Sequence, residues 1–334
     1  MKNSLLSYFG FALAAGIILV TPTFAAVSID YVTIGNINNA ADTVTPNPGF
    51  GTVGYEYKIG KNEVTISQYA EFLNAAATTD ANGLWNSNMG SDANIAGITQ
   101  SGSSGSFSYS VTGSGQRPIT YVSWYDAARF TNWMHNGQGS GSTETGAYTL
   151  TGNTGLIMKN AAAAVWLPSE NEWYKAAYYD PTKNGGAGGY WRFATQSDTL
   201  TDNDPAVAGA ANYLNGDGFA VTQTSIGGIV TTQNYLTDAG AYGADSESFY
   251  GTNDQTGNVR EWNDAIDGSE RGHRGGDWNA SGRLLPSSDG SSATPTTELS
   301  WTGFRVASVP EPSAVFMTLI AVGASLTIRR RSSL

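Results

Sequence analysis

The chain of 334 residues contains no cysteine and only two histidines. Without thiols it cannot form disulfides, bind a soft metal ion through a thiolate or carry out thiol–disulfide exchange. Two histidines also exclude a metal site built on three imidazoles. Charged residues make up only 13% of the chain, and acidic ones prevail, with a formal net charge of -11. Because this charge would repel a phosphate backbone, nucleic acid is not expected as a partner.

Residues 1–25 have the pattern of a secretion signal. Lys2 precedes an apolar run over 5–20, and the small residues Thr23 and Ala25 follow it. A charged start, an apolar core and small residues at a cleavage site together predict a signal peptide and export. The alternative is a first transmembrane helix, although the run is shorter than the roughly 20 residues that a span needs.

Residues 309–334 carry a second targeting pattern. Val309-Pro310-Glu311-Pro312 leads into the uncharged segment 313–328, which three arginines follow. Arginines directly after an apolar segment indicate its cytoplasmic end, so a transmembrane segment is predicted over 313–328. The arrangement resembles the PEP-CTERM sorting signal of Gram-negative bacteria. That resemblance implies export through the inner membrane, a sorting peptidase as a partner, and a final place at or outside the cell surface. A simple tail anchor is the alternative.

The body of the chain, residues 26–308, is typical of one mixed domain. Alternating apolar and polar residues over 27–60 predict strands. Three helices are predicted because a hydroxyl residue stands three positions before a side chain that can cap it in return. These pairs are Thr65 with Gln68, Ser123 with Asp126, and Ser169 with Glu172. The apolar stripe that follows each pair is expected to face the core.

Polar stretches separate these helices. Residues 80–116, 137–146 and 183–189 are rich in Gly, Ser, Asn and Thr, and they predict surface loops. After Pro205 no helical periodicity is present, so short strands and turns are expected there.

Six sequence blocks resemble, in order, the formylglycine-generating-enzyme family, also called sulfatase-modifying factors. The blocks are 57–69, 117–127, 166–173, 257–262, 274–278 and 303–306. Together they cover about residues 50–308. The resemblance implies an α+β fold: a loop-rich single domain of the formylglycine-generating-enzyme type, distantly related to the C-type lectins.

The same resemblance implies calcium near the block at 257–262. Carried over, Asp254 and Glu261 would supply carboxylate oxygens, and Gly257 and Val259 would supply backbone carbonyls. Calcium takes six to eight hard oxygen ligands, and a tight turn can direct such groups to one point. The alternative is that Asp254 and Glu261 merely cap turns.

Two weaker similarities concern calcium and sugars. A second calcium site of the family would fall on Asn212, Tyr213, Asp217 and Phe219, although the spacing is shorter here than in the family. The tripeptide Trp262-Asn263-Asp264 resembles part of the sugar-binding calcium site of true C-type lectins. Its partner element, Glu-Pro-Asn or Gln-Pro-Asp, is absent from the sequence.

The oxidation chemistry of the oxygen-dependent family members is excluded. Those enzymes use two copper-binding cysteines in the interval that corresponds here to 279–302, which offers Ser281, Ser287 and Ser288 but no thiol. Serine is a poor ligand for a soft metal and performs no disulfide chemistry, so copper is not expected and no catalytic residue is assigned.

Other polar residues are expected to have structural roles. His135 is predicted near a helix end. His273 is predicted in a surface loop, where neighbouring arginines would lower its pKa. Arg274 and Arg305 lie within family blocks and are expected to form ion pairs that brace the fold.

The leading hypothesis is an exported, calcium-stabilised domain that lacks the cysteine chemistry. It would serve as a binding or structural protein for a surface polysaccharide or a protein ligand. Two alternatives stay open: a carbohydrate-binding, lectin-like module, and an enzyme with cysteine-independent chemistry. Exposed, coplanar aromatic residues around a groove would favour sugar binding, and a buried set would argue against it.

Overall fold

A computed structural model describes residues 26–43, 49–152, 156–216, 218–223 and 228–310. The predicted signal peptide over 1–25, the predicted transmembrane segment over 313–328 and Asp217 lie outside the described residues. In the part that is described, no helix is both long and apolar enough to span a bilayer.

The three predicted helices are confirmed, and each begins with the predicted capping box. At the first box, Gln68 N donates to Thr65 Oγ1 (3.3 Å) while Thr65 N donates to Gln68 Oε1 (2.9 Å). Two short helical turns accompany the three helices. The elements are α1 (Ile66–Ala76), α2 (Asn88–Ser91), α3 (Trp124–His135), α4 (Glu170–Tyr178) and α5 (Lys183–Gly186), with 3-10 turns at Ala244–Ser246 and Gly282–Leu284.

The strands are short, and together with the helices they confirm the predicted mixed α and β fold. They are β1 (Tyr31–Ile34), β2 (Tyr57–Gly60), β3 (Ile98–Ser101), β4 (Ser108–Val111), β5 (Val165–Trp166), β6 (Tyr179–Asp180), β7 (Gly189–Tyr190), β8 (Leu214–Asn215), β9 (Gly218–Phe219), β10 (Arg260–Asp267), β11 (Glu270–Arg274), β12 (Ser291–Ala293), β13 (Thr302–Phe304) and β14 (Ala307–Ser308).

Two four-stranded sheets organise the domain. The first has the order β1-β2-β14-β5 and is antiparallel throughout, so strands from the two ends of the domain pair with each other. The second has the order β12-β11-β10-β13, in which β10 and β13 run parallel. The remaining pairs, β3-β4, β6-β7 and β8-β9, are separate hairpins.

The main core lies between α1, α3 and the two sheets. Phe130 packs edge-on against Phe72 and Phe304, with ring centroids 5.4 Å apart in both pairs. Trp133 completes the group at 5.3 Å from Phe72. All four side chains are buried, as the apolar stripes predicted. Edge-to-face pairs of this kind stabilise a core beyond the effect of the buried area alone.

The prediction of a plain loop over 80–116 is wrong. This stretch contains α2 and the β3-β4 hairpin, whose Ile98 is buried and whose Tyr109 donates from its hydroxyl to Ala77 O (2.8 Å). Ser and Thr occupy much of the hairpin's other face, and this loop-like composition is why strands were not predicted there. The stretch 183–189 likewise includes the turn α5, with Asn184 and Gly185 at positive φ.

Candidate functional site

The block at 257–262 begins with a tight turn that joins three distant segments. Gly257 has φ +92°, and a Cβ built there would lie 2.2 Å from the carbonyl oxygen of Asn212. Gly257 N donates to Gly275 O (2.7 Å), and Asn258 N donates to Asn212 O (2.8 Å). Only glycine fits so close an approach of two backbones. The turn therefore brings Asn212, from the second set of predicted calcium ligands, next to Gly257 from the first.

Glu261 forms a buried ion pair with Arg305. Arg305 Nε donates to Glu261 Oε2 (2.6 Å) and Nη2 donates to Oε1 (2.7 Å), while Trp173 Nε1 also donates to Oε2 (2.8 Å). Both charged residues are fully buried, at 0% exposure. Arg305 also donates to three backbone carbonyls, those of Gly60, Lys61 and Asn253.

This geometry bears on the predicted role of Glu261 as a calcium ligand. A guanidinium contacts both of its carboxylate oxygens, which neutralises the charge that would attract a cation. The bracing role expected for Arg305 is confirmed, and so is that of Arg274, which forms an ion pair with Glu170.

Asp254 and Glu63 add two further buried carboxyl groups beside this pair. Burial raises the pKa of Asp254 to about 6, and it raises that of Glu63 well above its ordinary value, to which the charge of Asp254 also contributes. Asp254 Oδ2 accepts a hydrogen bond from Gly240 N (2.6 Å). Asn258 Nδ2 approaches Glu63 Oε1 at 3.4 Å, and Glu63 Oε2 has no hydrogen-bond partner among the described residues.

The other predicted calcium ligands are mostly engaged in packing and hydrogen bonds. Val259 lies in a buried apolar cluster with Phe219, and the Phe219 carbonyl accepts from Gln223 N (3.0 Å). Asn212 donates from its side chain to Asn258 Oδ1 (3.0 Å), and the Tyr213 carbonyl accepts from a side-chain amide. Over the described residues, no three His, Cys, Asp or Glu side chains are grouped to hold a metal. A calcium ion here would therefore depend on carbonyl and hydroxyl oxygens as well.

An open cleft of about 790 Å³ lies elsewhere on the domain. Three aromatic residues, Tyr179, Tyr190 and Trp191, line it, and the two tyrosine rings lie 5.1 Å apart. Lys183 Nζ lies 3.1 Å from the centroid of the Trp191 ring and 2.9 Å from Asp198 Oδ2. The remaining lining residues are Ala40, Ala41, Asp42, Thr43, Asn184, Ala187, Gly188, Gly189, Arg192, Ser287 and Ser288.

This aromatic cleft was not predicted from the sequence. Its signal was present, because Tyr179 and Tyr190-Trp191 flank the glycine-rich stretch 183–189 on both sides. Ser287 and Ser288 also line the cleft, and both belong to the interval where the resemblance places the family's cysteines.

The prediction that His273 lies in a surface loop is wrong. It lies on β11 and is buried, since β12 pairs alongside it. Burial first, and then the charge of Arg260, lowers the pKa of His273 to about 3. Ser291 Oγ lies 2.8 Å from its Nδ1, yet an imidazole with so low a pKa is a weak general base. His135 lies at the end of α3, as expected, and its Nδ1 accepts from Ala164 N (3.0 Å).

Solved structures share this fold. The chain is similar to CarF at 20% identity and a TM-score of 0.51, covering 86% of this chain and 100% of that one. It is also similar to Treponema denticola variable protein 1, at 18% identity and a TM-score of 0.51, with coverage of 86% and 98%. PvdO from Pseudomonas aeruginosa matches at 17% identity and a TM-score of 0.44, with coverage of 84% and 92%. No curated protein matches the chain.

The family model for the sulfatase-modifying factor enzyme 1-like domain matches residues 31–309. This span includes all six blocks that carried the resemblance, the Glu261–Arg305 pair and the aromatic cleft. The predicted family is thus confirmed, and the chain belongs to the FGE-sulfatase family, the sulfatase-modifying factor enzyme 1-like domains.

Proposed function

We propose that this protein is an exported, calcium-stabilised member of the family that binds a ligand and does not oxidise cysteines. The observation that carries the proposal is a family scaffold over residues 31–309 in a chain without any cysteine. Oxidation of a substrate thiol by paired enzyme thiols needs sulfur, and serine cannot replace it. What the scaffold still offers is its surface, and the aromatic cleft is the part best suited to hold a ligand.

The size and lining of the aromatic cleft support a binding role. Its volume of about 790 Å³ falls within the roughly 300–1,000 Å³ usual for small-ligand sites. It combines tyrosine and tryptophan rings with Lys183, Asp198 and the exposed Arg192, so apolar area and hydrogen-bonding groups converge in one place. Such a surface suits a polar ligand with flat apolar faces, as a segment of polysaccharide or peptide has.

Two further parts of the proposal concern calcium and location. The excess of buried carboxyl groups around Arg305 supports a bound cation, because a divalent ion would offset charges that the fold buries. The two terminal targeting patterns support export, processing by a peptidase of the PEP-CTERM type, and a place at the cell surface or outside the cell.

A binding panel tests the proposed function. Purified full-length protein is screened against cell-surface polysaccharides and peptides, with calcium and with chelator. Arg192→Ala removes an exposed cleft charge, and Arg283→Ala removes an exposed charge that does not line the cleft. We expect the first variant alone to weaken binding. Equal binding by both variants, or no binding to any member of the panel, would count against the cleft.

A lectin-like carbohydrate module is the second candidate, and the three aromatic rings in the cleft favour it. Against it, most tryptophans are buried and Lys183 covers the ring of Trp191. This candidate would be favoured if the protein binds neutral oligosaccharides and charged ligands do not displace them. A cysteine-independent enzyme is less well supported, because the His273–Ser291 pair lacks an effective base.

A further inference from the structure

One ring of the aromatic cleft is covered by the chain itself. Lys183 Nζ lies 3.1 Å from the centroid of the Trp191 ring and 2.9 Å from Asp198 Oδ2. The ammonium is attracted to the negative face of the ring. It therefore occupies the surface on which the flat face of a ligand would pack.

The Trp191 ring is held in place without the Lys183 side chain. Trp191 Nε1 donates to Asp180 Oδ2 (3.1 Å), and its backbone N donates to Tyr178 O (2.9 Å). Asp180 is fixed in turn, because Thr182 donates to its Oδ1 from the backbone N (2.7 Å) and from the hydroxyl (2.6 Å). The ring is thus preorganised, and it keeps its position if the ammonium leaves.

The backbone around Lys183 is shaped to let its side chain cross the β6-β7 hairpin. A Cβ built at Gly189 would lie 3.3 Å from Lys183 Cδ and 2.6 Å from Asn184 Nδ2, so glycine provides the room for this crossing. The turn α5 packs against little, since a Cβ at Gly185 or Gly186 would meet no atom within 4 Å. The lysine is therefore presented from an open turn and not from the core.

The two contacts that hold the ammonium are weak enough for a ligand to break. The side chain of Asp198 is 60% exposed, and exposed ion pairs contribute little because water and salt screen them. A cation over an exposed aromatic ring contributes a comparable amount. Together the two contacts favour the covered ring by about three- to thirtyfold, which is the factor that a displacing ligand loses.

Charge indicates which ligand class fits the uncovered ring. The charged residues that line the cleft are two acidic and two basic ones, Asp42, Asp198, Lys183 and Arg192, so the cleft carries no excess of either sign. The chain as a whole has a formal net charge of -11, which repels a polyanion. A neutral sugar ring has a flat apolar face for the indole and hydroxyl groups for the polar lining.

We propose that Lys183 masks a sugar-stacking face on Trp191, and that a neutral polysaccharide binds the aromatic cleft by displacing the ammonium. The proposal rests on the binding role given to the cleft above, and it adds the ligand class and the residue that limits affinity. It also accounts for the covered ring, which otherwise argues against sugar binding: the cover is a removable side chain.

Calorimetric titration of the full-length protein with cellohexaose and chitohexaose tests the proposal. Lys183→Ala uncovers the ring and is expected to raise the affinity by about three- to thirtyfold. Lys183→Arg keeps a cation over the ring and is expected to stay near the wild-type affinity. Lys159→Ala is the matched control, because Lys159 Nζ lies 3.9 Å from the Trp166 ring but does not line the cleft.

A measurement on the unaltered chain covers the case in which Lys183→Ala does not fold. Raising NaCl from about 0.05 M to about 0.5 M screens the exposed Lys183–Asp198 pair. The wild-type affinity for the neutral hexasaccharides is expected to rise with salt by up to about fivefold, the contribution of one such pair. Lys159→Ala should show the same rise, and Lys183→Ala should show none.

The outcomes separate the mask from the binding role of the cleft. A gain in Lys183→Ala that Lys159→Ala does not show supports the proposal. Hexasaccharide binding that Arg192→Ala weakens, but that Lys183→Ala and salt leave unchanged, would overturn the mask and keep the cleft.

Two other results would also count against the proposal. A gain in Lys183→Ala confined to arginine-rich peptides would overturn the sugar as ligand, because the vacated ring and Asp198 would then recognise a cation. No binding of sugars or peptides by the wild type or by Lys183→Ala would overturn both the mask and the binding role of the cleft.

Discussion

Replacing Arg305 by methionine tests whether the buried ion pair holds the family blocks together. Methionine has a similar length but no charge and no donor. The change leaves the Glu261 carboxylate, which is fully buried, with Trp173 Nε1 as its remaining described side-chain donor. It also removes one donor from each of the backbone carbonyls of Gly60, Lys61 and Asn253.

The expected magnitude follows from these contacts. Breaking a buried ion pair by removing one partner costs about 3–5 kcal/mol, since an uncompensated charge stays inside. The hydrogen bonds lost at these carbonyls add to that cost, although the Lys61 carbonyl still accepts from Asn253 N, so we place Arg305→Met at the upper end, about 5 kcal/mol. Arg305→Lys keeps the charge but cannot donate to so many acceptors, and an intermediate loss is expected.

Equilibrium unfolding in urea measures both variants against the wild type. Glu261→Gln is the reciprocal change, and it is expected to destabilise as well because it buries Arg305 without its counterion. A loss below about 1 kcal/mol for Arg305→Met would refute the reasoning, because that is the range of exposed ion pairs.

Three further predictions concern backbone, pH and core. Gly257→Ala should destabilise by about 2 kcal/mol or more, because of its positive φ and the clash with the Asn212 carbonyl, whereas Gly268→Ala, with φ +60° and open space, should cost less in the same urea assay. Burial raises the pKa of Asp126 from 3.8 to about 7. This group therefore stabilises the fold below its unfolded pKa, and the stabilisation is lost as the pH rises through the folded pKa. Asp126→Asn should flatten the dependence of the melting temperature on pH between these two values. Phe130→Ala should cost about 3–5 kcal/mol by denaturant unfolding, and a loss below about 1 kcal/mol would contradict its central place in the core.

Local features of this fold could be predicted from the sequence. A capping box depends on residues three positions apart, so Ser123 and Asp126 predict the start of α3 without any knowledge of the tertiary structure. The ordered family blocks likewise predicted the family. The β3-β4 hairpin was missed because its exposed positions carry the Ser and Thr residues that are typical of loops.

The parts that could not be predicted depend on contacts between distant segments. His273 is buried because β12, far along the chain, pairs beside it. Glu261 meets a guanidinium 44 residues away, which no local pattern reveals. A small cavity beside Asp254 is lined by Thr195 and by Ser246 of the 3-10 turn Ala244–Ser246, and neither residue belongs to a recognisable motif.

The central claim is that this family member binds a ligand and does not oxidise thiols. The most direct measurement incubates the full-length protein with a sulfatase-type cysteine peptide, oxygen and copper, and follows the peptide by mass spectrometry. The account predicts that the cysteine stays unmodified relative to a sample without protein, since the chain has no thiol of its own. Protein-dependent conversion of the cysteine to formylglycine would contradict it.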